Sequence, residues 1–298
     1  MKKMQKYLAI LSVLVICLSS TPALATNLEK NSASKTYTVS EEDIIAQLQT
    51  MSDAELYQIG YTSQDIKQLR NFDYFKALSE RASLDNETLA LYGYTPEEIQ
   101  TLRDYVASGG RAKKTISPNT LTLSMSFSGI TAGKQATCKV VWTWKRVALA
   151  KCIDCFAVAW KTTNGATINY INSSSNQMVV NWTKINPNAI GKNTLTFNEK
   201  WQVKDNQSIY VKMGIGTNDY FAYTGTGTFK LGSTSGTFKE FYIDAAYGHY
   251  YILATPSISV NILTGSVDIS FKGAGIKDTR HLKRVYNANF KVVQNYDD

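Results

Sequence analysis

The chain has 298 residues, with 32 Lys/Arg against 24 Asp/Glu, a net charge of +8 at pH 7, 44% hydrophobic residues and only 5 prolines. That composition excludes a disordered, collagen-like or wholly membrane-embedded chain and fits one or two folded domains. The charge is uneven: residues 26–114 carry 14 Asp/Glu to 10 Lys/Arg, whereas residues 115–298 carry 10 Asp/Glu to 19 Lys/Arg.

Residues 1–25 read as a signal peptide. Lys2, Lys3 and Lys6 form a basic start, LAILSVLVICLSS is the apolar run, and Ala23 and Ala25 occupy the small-residue positions of a cleavage site. The run is short for a membrane span, which needs about 20 residues, so a secreted, extracellular chain is expected, with cell-wall association as a further expectation. A flexible N-terminal segment is expected over 26–39.

Residues 40–107 predict a small helical domain with an internal duplication. LYQIGYTSQDIKQLRNF (56–72) returns thirty-three residues on as LALYGYTPEEIQTLRDY (89–105), which brings Leu56 onto Leu89, Ile66 onto Ile99, Leu69 onto Leu102 and Arg70 onto Arg103. Thr62 with Asp65, and Thr95 with Glu98, have the spacing of capping boxes, and Pro96 suits a first helical position. Gly60 and Gly93 suit the left-handed residue that ends a helix. Ser40, followed by Glu41, Glu42 and Asp43, opens another helix through Ile44, Ile45 and Leu48. The prediction is an all-α helical-repeat bundle, whose second copy either packs against the first or repeats a recognition surface.

Residues 108–117, containing SGGRAKK, read as a linker. Cleavage at Lys113-Lys114 is an alternative in which the acidic helices mask the basic remainder.

From 118 to 298 the period changes to two. TLTLSMSF (120–127), TCKVVWTW (137–144), CFAVAW (155–160), MVVNW (178–182), TLTFNEKWQV (194–203), GTFKEFYI (236–243) and VDISF (267–271) are rich in β-branched and aromatic residues between Gly, Asn and Ser. They predict an antiparallel, jelly-roll-like β-sandwich, so the fold class is α+β with two domains. Alternation puts Trp142 and Trp144 on one, inward face.

After loss of Cys17 with the signal peptide, Cys138, Cys152 and Cys155 remain as disulfide candidates. A hairpin-spanning bridge from Cys138 to Cys152 or Cys155 is the leading expectation, and a Cys152–Cys155 bridge the alternative. Only His249 and His281 are available to complete a zinc set, so no metal or cofactor is expected. His249, His281 and the strand carboxylates Glu199, Asp219, Glu240 and Asp244 are the residues from which acid–base or glycoside chemistry would be built. None stands in a catalytic motif, so no catalytic residue is assigned.

Two basic groups remain as surface-binding candidates: Lys145, Arg146 and Lys151, and Lys277, Arg280, Lys283 and Arg284. They suit an anionic cell-wall polymer, a carbohydrate-rich coat or a membrane surface, with no nucleic acid expected. They also suit an intramolecular contact with the acidic helical part. The expected function is a secreted, non-enzymatic binding protein. The alternatives are a hydrolase acting on polysaccharide and a membrane-active, pore-forming protein that inserts the Gly/Thr-rich segment 223–238.

Overall fold

Strand alternation and helix caps of this kind dictate local structure, but the pairing of strands decides which residues meet. A computed structural model of the chain describes residues 31–111, 117–150, 152–185, 192, 194–213, 219–251, 257–263, 266–272 and 279–296. The signal-peptide reading, and the Lys113-Lys114 reading, lie outside the described residues.

The fold is mostly antiparallel β, with a small helical part near the N-terminus. The larger sheet has the order β1 (Ser32–Val39), β2 (Asn119–Thr131), β3 (Gln135–Trp144), β10 (Tyr220–Gly232), β6 (Gln177–Lys184), β7 (Thr194–Glu199), and β5 (Asn169–Ile171) also pairs with β10. The smaller sheet has the order β15 (Val292–Tyr296), β14 (Thr279–Asn287), β11 (Phe238–Tyr251), β4 (Cys152–Gly165), β9 (Ser208–Met213), β8 (Gln202–Asp205). A third, two-stranded sheet is the hairpin of β12 (Ser257–Leu263) and β13 (Ser266–Lys272). Residues 32–39, expected as a flexible lead-in, instead form β1. Their alternating Ser/Thr and larger residues pair with β2 from Ser32↔Ser126 to Val39↔Asn119.

The two large sheets face each other across an aromatic core, as in a sandwich. Trp142 and Trp144 of β3 are fully buried, as alternation predicts, and their rings meet Phe156 of β4 and Tyr247 of β11. The Trp144 indole N–H donates to the Tyr247 hydroxyl at 3.0 Å, which supplies the partner a buried indole needs. Trp160 of β4 stacks on Phe229 of β10 with centroids 5.6 Å apart. Such packing needs space, and β10 provides it: a Cβ on Gly225 would lie 1.9 Å from the Trp142 ring, and one on Gly227 would lie 2.3 Å from Trp201. The Gly/Thr run of segment 223–238 is therefore mostly a central strand whose glycines admit tryptophans, and it does not form a hairpin with β11, which lies in the other sheet.

Among the described residues, six helices lie between β1 and β2: α1 (Glu41–Thr50), α2 (Asp53–Gln58), α3 (Ser63–Asn71), α4 (Tyr74–Ala82), α5 (Asn86–Leu91) and α6 (Pro96–Ala107). Thr62 with Asp65 caps α3, and Thr95 with Glu98 caps α6, each as a complete capping box. Gly60 and Gly93 have φ of 100° and 87°, and the N–H groups of Tyr61 and Tyr94 reach back to Leu56 and Leu89. This is the Schellman pattern that closes a helix C-terminus. Arg70 donates to the carbonyls of Gln49 and Met51, and Arg103 to those of Ala82 and Leu84, so equivalent arginines clamp equivalent helix ends.

The two copies pack differently. Leu56, Tyr61, Ile66 and Leu69 form a small cluster with Ile45, Leu48 and Ala150. Leu89, Tyr92, Tyr94, Ile99 and Leu102 join the main core of the sandwich.

Candidate functional site

The basic residues singled out from sequence do not assemble one exposed patch. The loop between β3 and β4 runs into the helices and is held from several sides. Arg81 donates to the carbonyls of Val147 and Ala148, and Glu41 accepts from the N–H groups of Leu149 and Ala150. The Val147 N–H donates to the Tyr92 carbonyl. Arg146 is buried, lies over the Tyr94 ring, and bonds Glu98 and Ser117. Lys145 reaches the same Glu98 carboxylate at 2.6 Å.

Burial raises the Glu98 carboxyl. Lys145, the Thr95 N–H and Arg146 outweigh that and hold it below its ordinary 4.5. Burial pushes the Glu41 carboxyl up, against the opposing pull of His249 and the two backbone donors.

In the second group, Arg284 is buried and donates to the Lys283 carbonyl, while Arg280 sits over the Tyr37 ring. Arg146 and Arg284 are thus removed from the surface-binding set, because both guanidiniums are used inside the fold. Lys151 and Lys277 lie outside the described residues.

A cavity of about 100 Å³ lies at this junction, lined by Glu41, Tyr74, Tyr94, Asn119, Arg146 and neighbours. Glu41 and Arg146 are committed as above, and Asn119 exchanges hydrogen bonds with the Arg146 backbone. The cavity is a seam between the two parts.

The cysteines differ from expectation. Cys138 and Cys155 are free and fully buried. β3 and β4 are not a hairpin but belong to opposite sheets. Cys138 faces the core between the sheets, whereas Cys155 lies in the same strand alternation as Ala157 and Ala159, on the far side of the smaller sheet. A Cys138–Cys155 bridge is therefore not formed. The Cys152 side chain lies outside the described residues. Burial pushes both thiols well above their ordinary value.

The histidines are packed. His249 Nδ1 is 2.6 Å from Asp154 Oδ1, with both residues buried and the ring against Trp144 and Phe221. His281 Nδ1 is 2.8 Å from Asp244 Oδ2. Glu199 ends β7, Asp219 precedes β10, and Glu240 lies exposed on β11 with Asp244 further along. Among the described residues, no group of three or more His, Cys, Asp or Glu could hold a metal.

The feature that sequence reasoning passed over is the outer face of the larger sheet. Its inward positions are mostly apolar, and its outward positions are mostly hydroxyl or amide, with Lys139, Lys230, Val141 and Val179 among them. Register aligns them into rows that cross five or six strands of the sheet. Thr36 pairs with Thr122, Thr122 with Thr143, Thr143 with Thr224, Thr224 with Asn181 and Asn181 with Thr196. A second row runs Ser34, Ser124, Val141, Thr226, Val179, Asn198, and a third Ser32, Ser126, Lys139, Thr228, Gln177.

These residues are all exposed or half-buried. Hydroxyls link neighbours within the first row, with Thr36 and Thr122 at 2.9 Å, Thr143 and Thr224 at 3.2 Å, and Thr196 and Asn181 at 2.8 Å. Sheet geometry spaces such groups about 4.8 Å across strands and about 6.8 Å along them. The result is a lattice of donors and acceptors, interrupted by Val141 and Val179, with Lys139 as the one cation in these three rows. Its sequence signal was present in TYTV, TLTLSMS and TGTGT, where the alternate, outward positions are all Thr or Ser.

No protein-family model matches the chain, and no curated protein matches it. Among solved structures, it is similar to a pore-forming protein at 11% identity and a TM-score of 0.25, over 60% of this chain and 84% of the other. It is also similar to AvmM, which catalyses macrocyclization in alchivemycin A biosynthesis, at 12% identity and a TM-score of 0.23, over 51% of this chain and 88% of the other. Likenesses this loose carry nothing over to this chain.

Proposed function

We propose that this protein is a secreted, non-enzymatic binder of a carbohydrate-rich extracellular surface, and that it makes contact through the outer face of the larger sheet. The observation that carries this reading is the row Thr36, Thr122, Thr143, Thr224, Asn181, Thr196, followed on one side by the mostly polar rows that start at Ser34 and Ser32. A polyhydroxylated glycan offers the same mixture of donors and acceptors. Threonine is stiff at χ1, so ordering these side chains on binding costs little entropy. An open sheet face suits an extended or layered polymer better than a small sugar, which prefers a concave site. The near absence of charge favours a neutral glycan over an anionic polymer, as does the burial of Arg146 and Arg284. In the same proposal the helices act as a repeat bundle that braces a jelly-roll-like sandwich.

Co-sedimentation of the mature chain with chitin, cellulose and peptidoglycan sacculi tests this. Binding is expected to persist at about 1 M salt, where charges are screened beyond about 3 Å. The exposed substitutions Thr143→Arg and Thr226→Arg together are expected to weaken it at least about tenfold, since each places a long charged chain on the lattice. Binding that is abolished by salt, or unchanged in the double variant, overturns the reading.

A further inference from the structure

We propose that the hairpin β12–β13 is a lipid-inserting element, able to leave the sandwich and enter a bilayer alongside the hairpins of other copies of this chain. The argument is independent of the glycan-binding face. Register pairs Ile258 with Phe271, Val260 with Ile269 and Ile262 with Val267. The positions between pair Ser257 with Lys272, Ser259 with Ser270 and Asn261 with Asp268. Because successive strand residues alternate between faces, one face of the hairpin is wholly aliphatic or aromatic and the other is polar except at Leu263, which pairs with Ser266. That is the pattern of a membrane barrel strand, apolar toward lipid and polar toward a lumen.

The hairpin is also structurally separate. It forms its own two-stranded sheet and continues neither large sheet. An isolated hairpin is marginal in water, so what holds it is its packing on the smaller sheet. Ile269 is buried there against Ala157, Ala159, Ala246, Tyr242 and Val285. Three of those five floor residues are alanine, so the floor offers few deep interlocking contacts.

Each strand has seven residues, which at about 3.4 Å each reach about 24 Å, close to the apolar band of a membrane barrel at about 25 Å. A tilted span needs about 9–11 residues per strand, so strands of seven residues must stand nearly upright or thin the bilayer around them. One hairpin in lipid would leave two unpaired edges. Several copies must therefore pair edge to edge and close.

The test is dye release from vesicles of phosphatidylcholine, and of phosphatidylcholine with phosphatidylglycerol, using the purified mature chain. Release is expected from at least one composition, with a rate that rises more steeply than linearly with protein concentration. Val260→Asp, on the apolar face, is expected to slow release at least about tenfold, because charge on the lipid face is costly. Ser259→Asp, one residue away on the polar face, is expected to stay within about twofold of the native chain.

Ile269→Ala loosens the hairpin from its floor and is expected to speed release severalfold, a gain that misfolding would not produce. No release from either vesicle overturns the proposal, as does release that responds equally to Val260→Asp and Ser259→Asp. Retention of glycan binding in the hairpin variants separates this outcome from failure of the glycan-binding reading.

Discussion

Arg146 and Glu98, 48 residues apart in the chain, meet with a guanidinium nitrogen 3.0 Å from a carboxylate oxygen. The same carboxylate accepts from Lys145 and from the Thr95 N–H. One glutamate therefore caps its own helix and ties the second helical copy to the β3–β4 loop. Replacing Glu98 by Gln leaves the buried Arg146 charge without its counter-charge. Loss of one partner of a fully buried pair costs about 3–5 kcal/mol; with Glu98 15% exposed and Ser117 still bonded, about 2–3 kcal/mol is expected. Urea unfolding followed by tryptophan fluorescence and by helical circular dichroism checks this. Both probes should shift together, because the second copy shares its core with the sheets. A shift in the helical signal alone would contradict the shared core.

Gly93 and Gly109 both have positive φ, yet their substitution should differ. A Cβ at Gly93 would lie 2.1 Å from the Lys145 carbonyl oxygen, whereas Gly109 has nothing within 4 Å. Gly109→Ala bears only the conformational penalty of about 1–2 kcal/mol. Gly93→Ala adds displacement of the β3–β4 loop and should cost at least about 3 kcal/mol, read as a larger drop in the urea midpoint at unchanged slope. Equal effects would mean that the helices and loop are not in close contact.

Cys138 and Cys155 should be inert to a thiol reagent in the folded chain and fully reactive once it is unfolded without reductant. Burial both blocks access and disfavours the thiolate that would react. Peptide mapping after alkylation in denaturant gives the answer directly. Recovery of a peptide linking Cys138 to Cys155 would refute their placement on opposite sides of the smaller sheet.

Glu41 and Glu98 should shape the pH dependence of stability in opposite senses. Burial raises the Glu41 carboxyl above 4.5, so the folded chain holds that proton more tightly than the unfolded one. Stability from this group is greatest below about 4.5 and falls as pH rises through the raised value. Glu98 is held below 4.5, so its contribution is present above that value and lost as pH falls through the lowered one. Urea midpoints taken from pH 3 to pH 8 should lose the first slope in Glu41→Gln and the second in Glu98→Gln. Parallel profiles for native chain and variants would contradict both assignments.

Local rules carried the reading of this sequence where the physics was local. Caps at Thr62 and Thr95, the glycine turns, the repeated Leu and Ile positions, and the inward Trp142 and Trp144 all follow from spacing alone. Pairing between distant segments was not legible. Nothing near Cys138 and Cys155 says that their strands lie in different sheets, so a hairpin bridge looked natural. Arg146 reads as a surface charge until Glu98 arrives from 48 residues away. The hydroxyl lattice was hidden for a related reason: each strand shows only a few Ser and Thr, and the rows exist only once register is known.

The helices interrupt a sheet rather than precede one, because β1 and β2 are neighbours. Trimming the chain back to about residue 115 would strip β1 from β2 and leave a 13-residue strand with one open edge. Open edges recruit strands from other molecules, so the shortened protein should aggregate. A synthetic peptide of residues 31–39 would close that edge by strand addition, but the core surface that Leu89, Tyr92, Tyr94, Ile99 and Leu102 cover would stay open, so the peptide alone should not restore solubility.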